Sequence, residues 1–211
     1  MGEAAVFHAL IEKQRTELLR RIEARRLEME EDDTGHYLLF EALGIRQDEC
    51  SEIDLFQNVG RFVYRRAGTL LESLAVTAMQ LAKGGEPIVV PNNISQNPRT
   101  FRIDWYVDED NKAHEIKWRD ATTDGDHIRK ERDKVLSIVK HGMIPVRVMF
   151  YYPQRTQAQA IQQRVLAFFS QHGEAYVEDG AWAYIKEYTG YDLLSIVREE
   201  AENQQTLTPG A

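Results

Sequence analysis

The stretch FRIDWYVDEDNKAHEIKW, residues 101–118, decides the fold because it carries two alternating strand patterns joined by a polar segment. Residues 101–107 alternate between the two faces of a predicted strand. One face carries Ile103, Trp105 and Val107, and the other carries Arg102, Asp104 and Tyr106. A strand has a period of two, so Glu115 and Lys117 share a face. Residues 108–112 predict the turn of a hairpin.

The register of this hairpin determines which polar side chains meet. A loop with an even number of residues places Asp104 on the face of Glu115 and Lys117, whereas a slip of one residue moves it to the opposite face. Two adjacent carboxylates repel each other and raise one pKa unless a cation neutralises them. Mg²⁺ binds such hard oxygen ligands and keeps water in its other positions. The set therefore predicts metal-dependent attack of water on a phosphodiester, with Lys117 orienting the water or offsetting phosphate charge.

The pattern Asp104…Glu115-Ile116-Lys117 resembles the PD-(D/E)xK nuclease signature. Residues 115–127 extend the resemblance to type II restriction endonucleases, most closely the ApaLI-like ones. The specific match covers residues 100–130, and the order of elements extends it to 68–155. Ile103 stands where the family pattern has a proline, which is a loosely kept element of the motif.

The resemblance implies a site-specific, Mg²⁺-dependent endonuclease that cuts double-stranded DNA. Asp104 and Glu115 are expected to hold the metal, and Lys117 to position or activate the attacking water. Glu72 is a further candidate for the same site, although a carboxylate in the first turn of a helix can simply stabilise the helix dipole. The family also implies a homodimer on a palindromic sequence, for which GTGCAC is one candidate.

Two polar segments flank the hairpin and are predicted to contact DNA. Amide side chains suit adenine, arginine suits guanine, and aspartate can accept from cytosine N4. The first segment contributes Asn92, Asn93, Ser95, Gln96, Asn97 and Arg99. The second contributes Arg119, Asp120, Thr122, Thr123, Asp124 and His127. The same residue types also form ordinary turns and helix caps, so that alternative stays open.

Composition is compatible with a globular enzyme of one domain, or of a domain with a helical extension. The 211 residues are 43% hydrophobic, which suffices for a core. The apolar runs are too short for a membrane helix, the N-terminal residues lack a signal pattern, and the single Cys50 suits a reducing compartment. We therefore expect a cytoplasmic prokaryotic protein. The net charge of −8 is unusual for a nucleic-acid binder, but it limits non-specific binding more than specific binding.

The pattern along the chain predicts an α/β fold: a restriction-endonuclease-like αβββαβ core, with a mixed sheet flanked by helices and an N-terminal helical extension. A helix at 126–140 between strands 115–118 and 143–152 predicts a crossover and a parallel pairing. The other predicted elements are helices at 3–31, 36–44, 52–66, 68–83, 155–171 and 181–203, and a strand at 86–91. We predict a helical region at 1–66 for dimerisation or DNA clamping, a nuclease core at 67–203, and a disordered tail at 204–211.

Two other functions are compatible with the same residues. A repair or junction-resolving nuclease of this fold would cut by DNA structure rather than by sequence. A non-catalytic DNA-binding protein would carry Asp104, Glu115 and Lys117 only as surface residues. The sequence has none of the motifs G-x-G-x-x-G, the phosphate-binding loop or H-E-x-x-H, and no cysteine pair for zinc.

Overall fold

The structure, a computed structural model, describes residues 3–119 and 125–207. The chain divides into two compact units, Met1–Leu70 and Leu71–Ala211. The boundary predicted from the sequence, between residues 66 and 67, falls inside the longest helix. In the described ranges, no helix combines the length and the apolar character needed to cross a bilayer.

The first unit is helical, as the sequence predicts. Helix α1 spans Glu3–Glu30, α2 spans Tyr37–Ala42, and α3 begins at Gln47. The predicted interruption between helices at 52–66 and 68–83 is wrong, because α3 continues without a break to Lys83. Gly68 lies inside it, where a single glycine costs about 1 kcal/mol relative to alanine and is tolerated when the helix packs well. The packing comes from the buried side chains of Leu71, Leu74, Ala75, Ala78 and Met79.

The second unit is built on a five-stranded mixed sheet. Strands β1 (Glu86–Pro91), β2 (Thr100–Val107), β3 (Lys112–Lys117), β4 (Ile144–Met149) and β5 (Glu174–Val177) lie in sequential order. The pairings β1–β2 and β2–β3 are antiparallel, whereas β3–β4 and β4–β5 are parallel. Helix α4 (Gly125–Lys140) connects β3 to β4, so the predicted crossover and the αβββαβ order are confirmed.

The sequence patterns fail in the last third of the chain. Helix α5 (Thr156–His172) is close to its prediction, but the four-residue strand β5 was missed because it is short and only half-buried along its length. The helix predicted at 181–203 is two helices, α6 (Asp179–Thr189) and α7 (Leu193–Leu207), separated at Gly190 in the left-handed conformation. Since α7 reaches Leu207, the predicted disordered tail is wrong for 204–207, and residues 208–211 lie outside the described ranges.

Strand β3 occupies the centre of the sheet and is buried on both faces. On one face Ala113 packs in a cluster with Val90, Ile103 and Ile138 of α4. On the other face His114 lies 2.8 Å, Nε2 to hydroxyl oxygen, from Tyr184 of α6. Helices therefore cover both faces at the strand that carries the E-x-K motif.

Strand β2 contains one extra residue beside the motif. Ile88 lies opposite Ile103, and Glu86 lies opposite Tyr106. One residue of β1 between these pairs therefore faces two residues of β2. The bulge falls at residues 104 and 105, opposite Pro87, which has no backbone N–H to pair. The strict alternation predicted for β2 is therefore wrong at Tyr106, which packs against the same cluster as Ile103.

The link from α3 to β1 generates a stability prediction. Gly85 has φ +101°, and a Cβ there would lie 2.2 Å from the carbonyl oxygen of Tyr106. We expect Gly85→Ala to lower the free energy of unfolding by about 2–4 kcal/mol, because strain and collision add. Gly84→Ala is the matched control: its φ is +71°, no described atom lies within 4 Å of its Cβ position, and the loss should be about 1 kcal/mol. Equal losses in urea denaturation would contradict this account.

Candidate active site

The hairpin between β2 and β3 brings the motif residues together. Its loop, residues 108–111, has an even number of residues, with Val107 opposite Lys112 and Trp105 opposite His114. This register carries Asp104 to the side of Glu115, as the even-loop condition requires. The structure thus gathers Asp104, Glu115 and Lys117 into one cluster.

The side chain of Asp104 accepts a backbone hydrogen bond from β3 where the backbone pairing of β2 with β3 ends. Its Oδ2 accepts hydrogen bonds from the backbone N–H of Ile116 at 2.8 Å and from Nζ of Lys117 at 3.2 Å. Burial and the negative charge of Glu115 raise the pKa of Asp104, and Lys117 and the Ile116 N–H oppose that shift. The Ile116 N–H and the Lys117 ammonium therefore fix the direction of this carboxylate.

Glu115 is the most buried charge of the cluster, with 2% of its surface exposed. Its Oε1 lies 2.6 Å from Nζ of Lys117 and 2.8 Å from Nζ of Lys134. Burial by itself would raise the pKa of Glu115, but the two ammonium groups lower it to about 2. The other oxygen, Oε2, is buried and has no hydrogen-bond partner among the described residues.

Lys134 is a site residue that the sequence reasoning missed. It lies on α4, and burial opposes its charge while Glu115 and Glu131 raise its pKa above the ordinary value. A signal was present in the sequence: Lys134 is three residues after Glu131 and four before Ile138, and the helical period puts all three on one buried face. The spacing does not show that Lys134 contacts Glu115 of β3.

The charges continue beyond Lys134 into the core. Glu131 lies 3.6 Å from Nζ of Lys134, and its Oε2 accepts a hydrogen bond from Arg147 at 2.9 Å. Arg147 is almost fully buried on β4. Its other terminal nitrogen donates a hydrogen bond to the side-chain oxygen of Gln162 of α5 at 3.2 Å. Positive and negative groups alternate along this chain, which we call the buried charge network.

Glu72 also belongs near this cluster. It is half-buried on α3, far from the start of that helix, so the alternative that it stabilises a helix dipole from the first turn is wrong. Burial raises the pKa of Glu72, and the negative charge of Asp104 raises it further while Lys117 opposes both. These effects place its carboxyl within electrostatic reach of Asp104 and Lys117.

The amide-rich loop before β2 divides into structural and exposed residues. Asn92 accepts from the backbone N–H groups of Ile94 and Ser95 at 3.0 Å and donates to the carbonyl of Pro98 at 2.7 Å. Ser95 donates to Asp133 of α4 at 2.8 Å. These two side chains shape the loop and anchor it to α4. The remaining predicted DNA contacts of the loop are exposed: Asn93, Gln96, Asn97 and Arg99.

The segment after β3 is described only at its ends. Arg119 is half-buried at the end of β3. Burial lowers the pKa of His127, and the charge of Glu131 opposes that shift, so the imidazole lies beside the buried charge network. The other predicted contacts, Asp120, Thr122, Thr123 and Asp124, lie outside the described residues.

The chemistry of the donors bears on metal binding. Within residues 3–119 and 125–207, no group of three or more His, Cys, Asp and Glu side chains is gathered as a complete metal site. Asp104 and Glu115 supply two hard carboxylates, and the unpartnered Oε2 of Glu115 is a buried acceptor without a donor. Such a set fits a cation that completes its coordination with water, as Mg²⁺ does.

A family model described as ApaLI-like restriction endonuclease matches residues 2–202 of the 211. The match includes both compact units and every motif residue discussed above. No curated protein and no solved structure matches the chain.

The pairing of Glu115 generates a prediction for Lys134. Lys134→Met leaves a buried carboxylate with one cation instead of two, so the free energy of unfolding should fall by about 3 kcal/mol. Lys130→Met is the control: that side chain is 45% exposed, against 12% for Lys134, and pairs at the surface with Asp126. Its effect in urea denaturation should stay within about 0.5 kcal/mol.

The same variant should change the acid dependence of stability. The pKa of Glu115 is lowered from 4.5 to about 2, so its ionisation stabilises the fold above pH 4.5 and that contribution disappears as pH falls toward 2. In Lys134→Met the pKa should rise and the pH-dependent contribution should shrink. Carboxyl ¹³C NMR titration measures the pKa directly, and an unchanged value would contradict the ion pair.

Proposed function

The chain belongs to the ApaLI-like restriction endonuclease family, and we propose that it is a type II enzyme that uses Mg²⁺ to cut double-stranded DNA at a palindromic site. Family membership makes it a nuclease that acts on DNA. The observation that carries the finer proposal is the convergence of Asp104, Glu115 and Lys117 beside the central strand of the sheet. A surface hairpin with the same residue types would leave these charges in water, whereas Glu115 is buried.

Asp104 and Glu115 are the residues that would hold the metal. When bound, Mg²⁺ supplies an acidified water and neutralises charge on the phosphate and the leaving oxygen. Asp104 is held in direction by the Ile116 N–H, and Glu115 keeps Oε2 without a hydrogen-bond donor among the described groups. Glu72, whose pKa is raised by burial and by the negative charge of Asp104, is proposed as an additional acidic group of the same site.

Lys117 is the proposed catalytic cation. Its Nζ lies between the two carboxylates, 3.2 Å from Asp104 and 2.6 Å from Glu115. From this position an ammonium can donate hydrogen bonds to the attacking water or to an oxygen of the scissile phosphate. Lys134 of α4 is proposed as a positioning residue, because it donates a hydrogen bond to the Glu115 carboxylate and holds that group in place.

Sequence recognition is proposed to use the two polar segments. Asn93, Gln96, Asn97 and Arg99 are exposed on a loop that α4 anchors, so they can reach base edges without losing a structural contact of Asn92 or Ser95. Arg119, Asp120, Thr122, Thr123, Asp124 and His127 are proposed as the second reading segment. A homodimer would match the symmetry of a palindrome, with GTGCAC as the first sequence to test.

Plasmid cleavage tests the catalytic proposal. The purified protein should give discrete fragments with Mg²⁺ and none with EDTA, and Lys117→Ala should lower the rate at least about 100-fold while DNA affinity changes little. Lys186→Ala, an exposed lysine paired with Asp192, should retain the wild-type rate. Nicking or a smear would favour a structure-directed nuclease. Absence of cleavage on several unmethylated DNAs would overturn the proposal.

Glu72→Gln tests the additional acidic group. The substitution keeps the size of the side chain and removes its charge beside Asp104. We expect the Mg²⁺ concentration for half-maximal cleavage to rise about 10-fold, as for groups that support metal ligands. Glu109→Gln, an exposed carboxylate paired with Lys83, is the control and should leave the metal dependence unchanged. Identical metal dependence in both variants would remove Glu72 from the site.

A further inference from the structure

The acidic chain concentrates positive charge on one helix of the first unit. The net charge is −8, yet residues 55–70 of α3 contain Arg61, Arg65 and Arg66 and no acidic residue. Ion pairs within a helix form at spacings of three and four, and no residue at those spacings from the three arginines is acidic. Their own helix therefore does not neutralise them.

Two of these arginines lie on one face of α3. Asn58, Arg61 and Arg65 follow one another at spacings of three and four, and we call this row the arginine stripe. Asn58 donates to the carbonyl of Asp54 at 2.9 Å and accepts from Arg61 at 3.3 Å, so it holds Arg61 in place. Arg61 and Arg65 are exposed. Exposed guanidinium groups in a row are suited to contact phosphate oxygens.

Arg65 also borders a pocket between α1 and α3. The pocket has a volume of about 210 Å³, whereas one water needs only about 10–15 Å³ of comparable space, so a phosphate group fits. Half of the lining side chains are arginines and none is acidic. The lining residues are Leu18, Arg21, Phe62, Arg65, Arg66 and Thr69. Apolar walls beside the arginines lower the local dielectric constant and strengthen their attraction for an anion.

Glu17 of α1 is shared among three arginines. It accepts hydrogen bonds from Arg20 at 3.1 Å and from Arg21 at 2.7 Å, and it lies 3.8 Å from Arg66. Arg20 and Arg21 lower the pKa of Glu17 to about 2. One carboxylate neutralises only part of this positive charge, and the guanidinium of Arg65 adds to the remainder. The arginines therefore keep a net positive charge that a bound anion can neutralise.

Arg66 is fixed in place before any ligand binds. Its side chain is 18% exposed, and it donates a hydrogen bond to the side-chain oxygen of Gln14 on α1 at 2.5 Å. The guanidinium carbon of Arg25 on α1 lies 5.5 Å from the ring centre of Phe62. Both contacts join α1 to α3 through residues that line the pocket. Groups that are ordered in the free protein lose less conformational entropy on binding, which favours affinity.

We propose that the arginine stripe and the pocket beside it bind the sugar–phosphate backbone of double-stranded DNA. Arg61 lies one helical turn, roughly 6 Å, from Arg65 and is not among the residues that line the pocket. A ligand that contacts both arginines must carry negative charges at repeated intervals. DNA does so, and a single phosphate ion does not.

This site deepens the proposed function and rests on it, because DNA is the expected substrate. It assigns to the helical unit contacts that position DNA without reading its sequence, whereas the two polar segments are proposed to read bases. It also explains how a chain with a net charge of −8 can bind a polyanion, since its positive charge is gathered locally on α3.

DNA binding by the full chain in EDTA, measured by fluorescence anisotropy on labelled duplexes, tests the site. Arg61→Gln with Arg65→Gln should weaken the affinity at least about 10-fold and reduce the slope of log K against log salt by about 2, because each lost phosphate contact removes about 0.9. The loss should be equal on duplexes with and without GTGCAC. Unchanged affinity in this double variant, or a loss confined to one sequence, would overturn the site.

Two control variants separate the site from general effects of charge and folding. Arg46→Gln removes an arginine of the same unit that is 73% exposed and paired with Asp48, and it should leave the affinity and the salt slope unchanged. Arg61→Lys with Arg65→Lys keeps both charges and should keep the wild-type salt slope. Urea denaturation should give the same midpoint for all these variants, because the substituted side chains are exposed. A lysine variant with the salt slope of the glutamine variant would contradict phosphate binding.

Calorimetric titration with inorganic phosphate separates the DNA backbone from a free anion. If phosphate binds the wild-type protein but not Arg65→Gln, while the two bind DNA equally well, the pocket holds a free anion and the DNA inference is wrong.

Cleavage kinetics separate this inference from the proposed function. The double glutamine variant should raise KM for DNA about 10-fold and leave kcat unchanged, because a phosphate contact of this kind is made equally in the ground state and the transition state. Discrete Mg²⁺-dependent cleavage with an unchanged KM in this variant would overturn the site and leave the nuclease proposal standing. Arginine-dependent DNA binding without cleavage of any DNA would do the reverse.

Discussion

The second unit depends on keeping one carboxylate charged inside the sheet. Glu115 lies on the central strand, buried on both faces, where an isolated ion would cost several kcal/mol. Lys117 and Lys134 make this tolerable by contacting the same oxygen from two directions. Lys117 comes from the same strand, but Lys134 comes from α4, so the helix must dock with that side chain toward the sheet. The position of the crossover helix is thus tied to the charge of the site.

The buried charge network extends this dependence to β4 and α5. Lys134 also approaches Glu131, which binds Arg147, which in turn binds Gln162. Each charged group has a neighbour of opposite sign. Substitution of one group therefore leaves its neighbour as a buried charge without a partner. In the enzyme we propose, these contacts keep the carboxylates and ammonium groups in place before metal and DNA arrive. Pre-organisation of this kind favours catalysis because the groups need not rearrange during the reaction.

A second constraint comes from Pro87 on the neighbouring strand. Because proline has no N–H to offer, the pairing of β1 with β2 accommodates an extra residue beside Asp104. The bulge puts Ile103 on the same face as Tyr106, while Asp104 stays on the side of Glu115 and its side chain accepts the hydrogen bond of the Ile116 N–H. The extra residue of β2 therefore lies opposite Pro87, a residue of β1 that cannot donate a backbone hydrogen bond.

The sequence by itself determined what depends on neighbours along the chain. The hairpin, its even loop and the strand–helix–strand order follow from short periodic patterns, which is why strand periodicity alone could group Asp104, Glu115 and Lys117. The continuity of α3 through Gly68, the split at Gly190, the short strand β5 and the bulge at Asp104 depended on packing that those patterns do not report. The contacts of Lys134 and the nearness of Glu72 to Asp104 were decided only by the tertiary structure. The physical reason is that periodicity fixes which face of an element a residue occupies, whereas the side chain it meets depends on how distant elements pack.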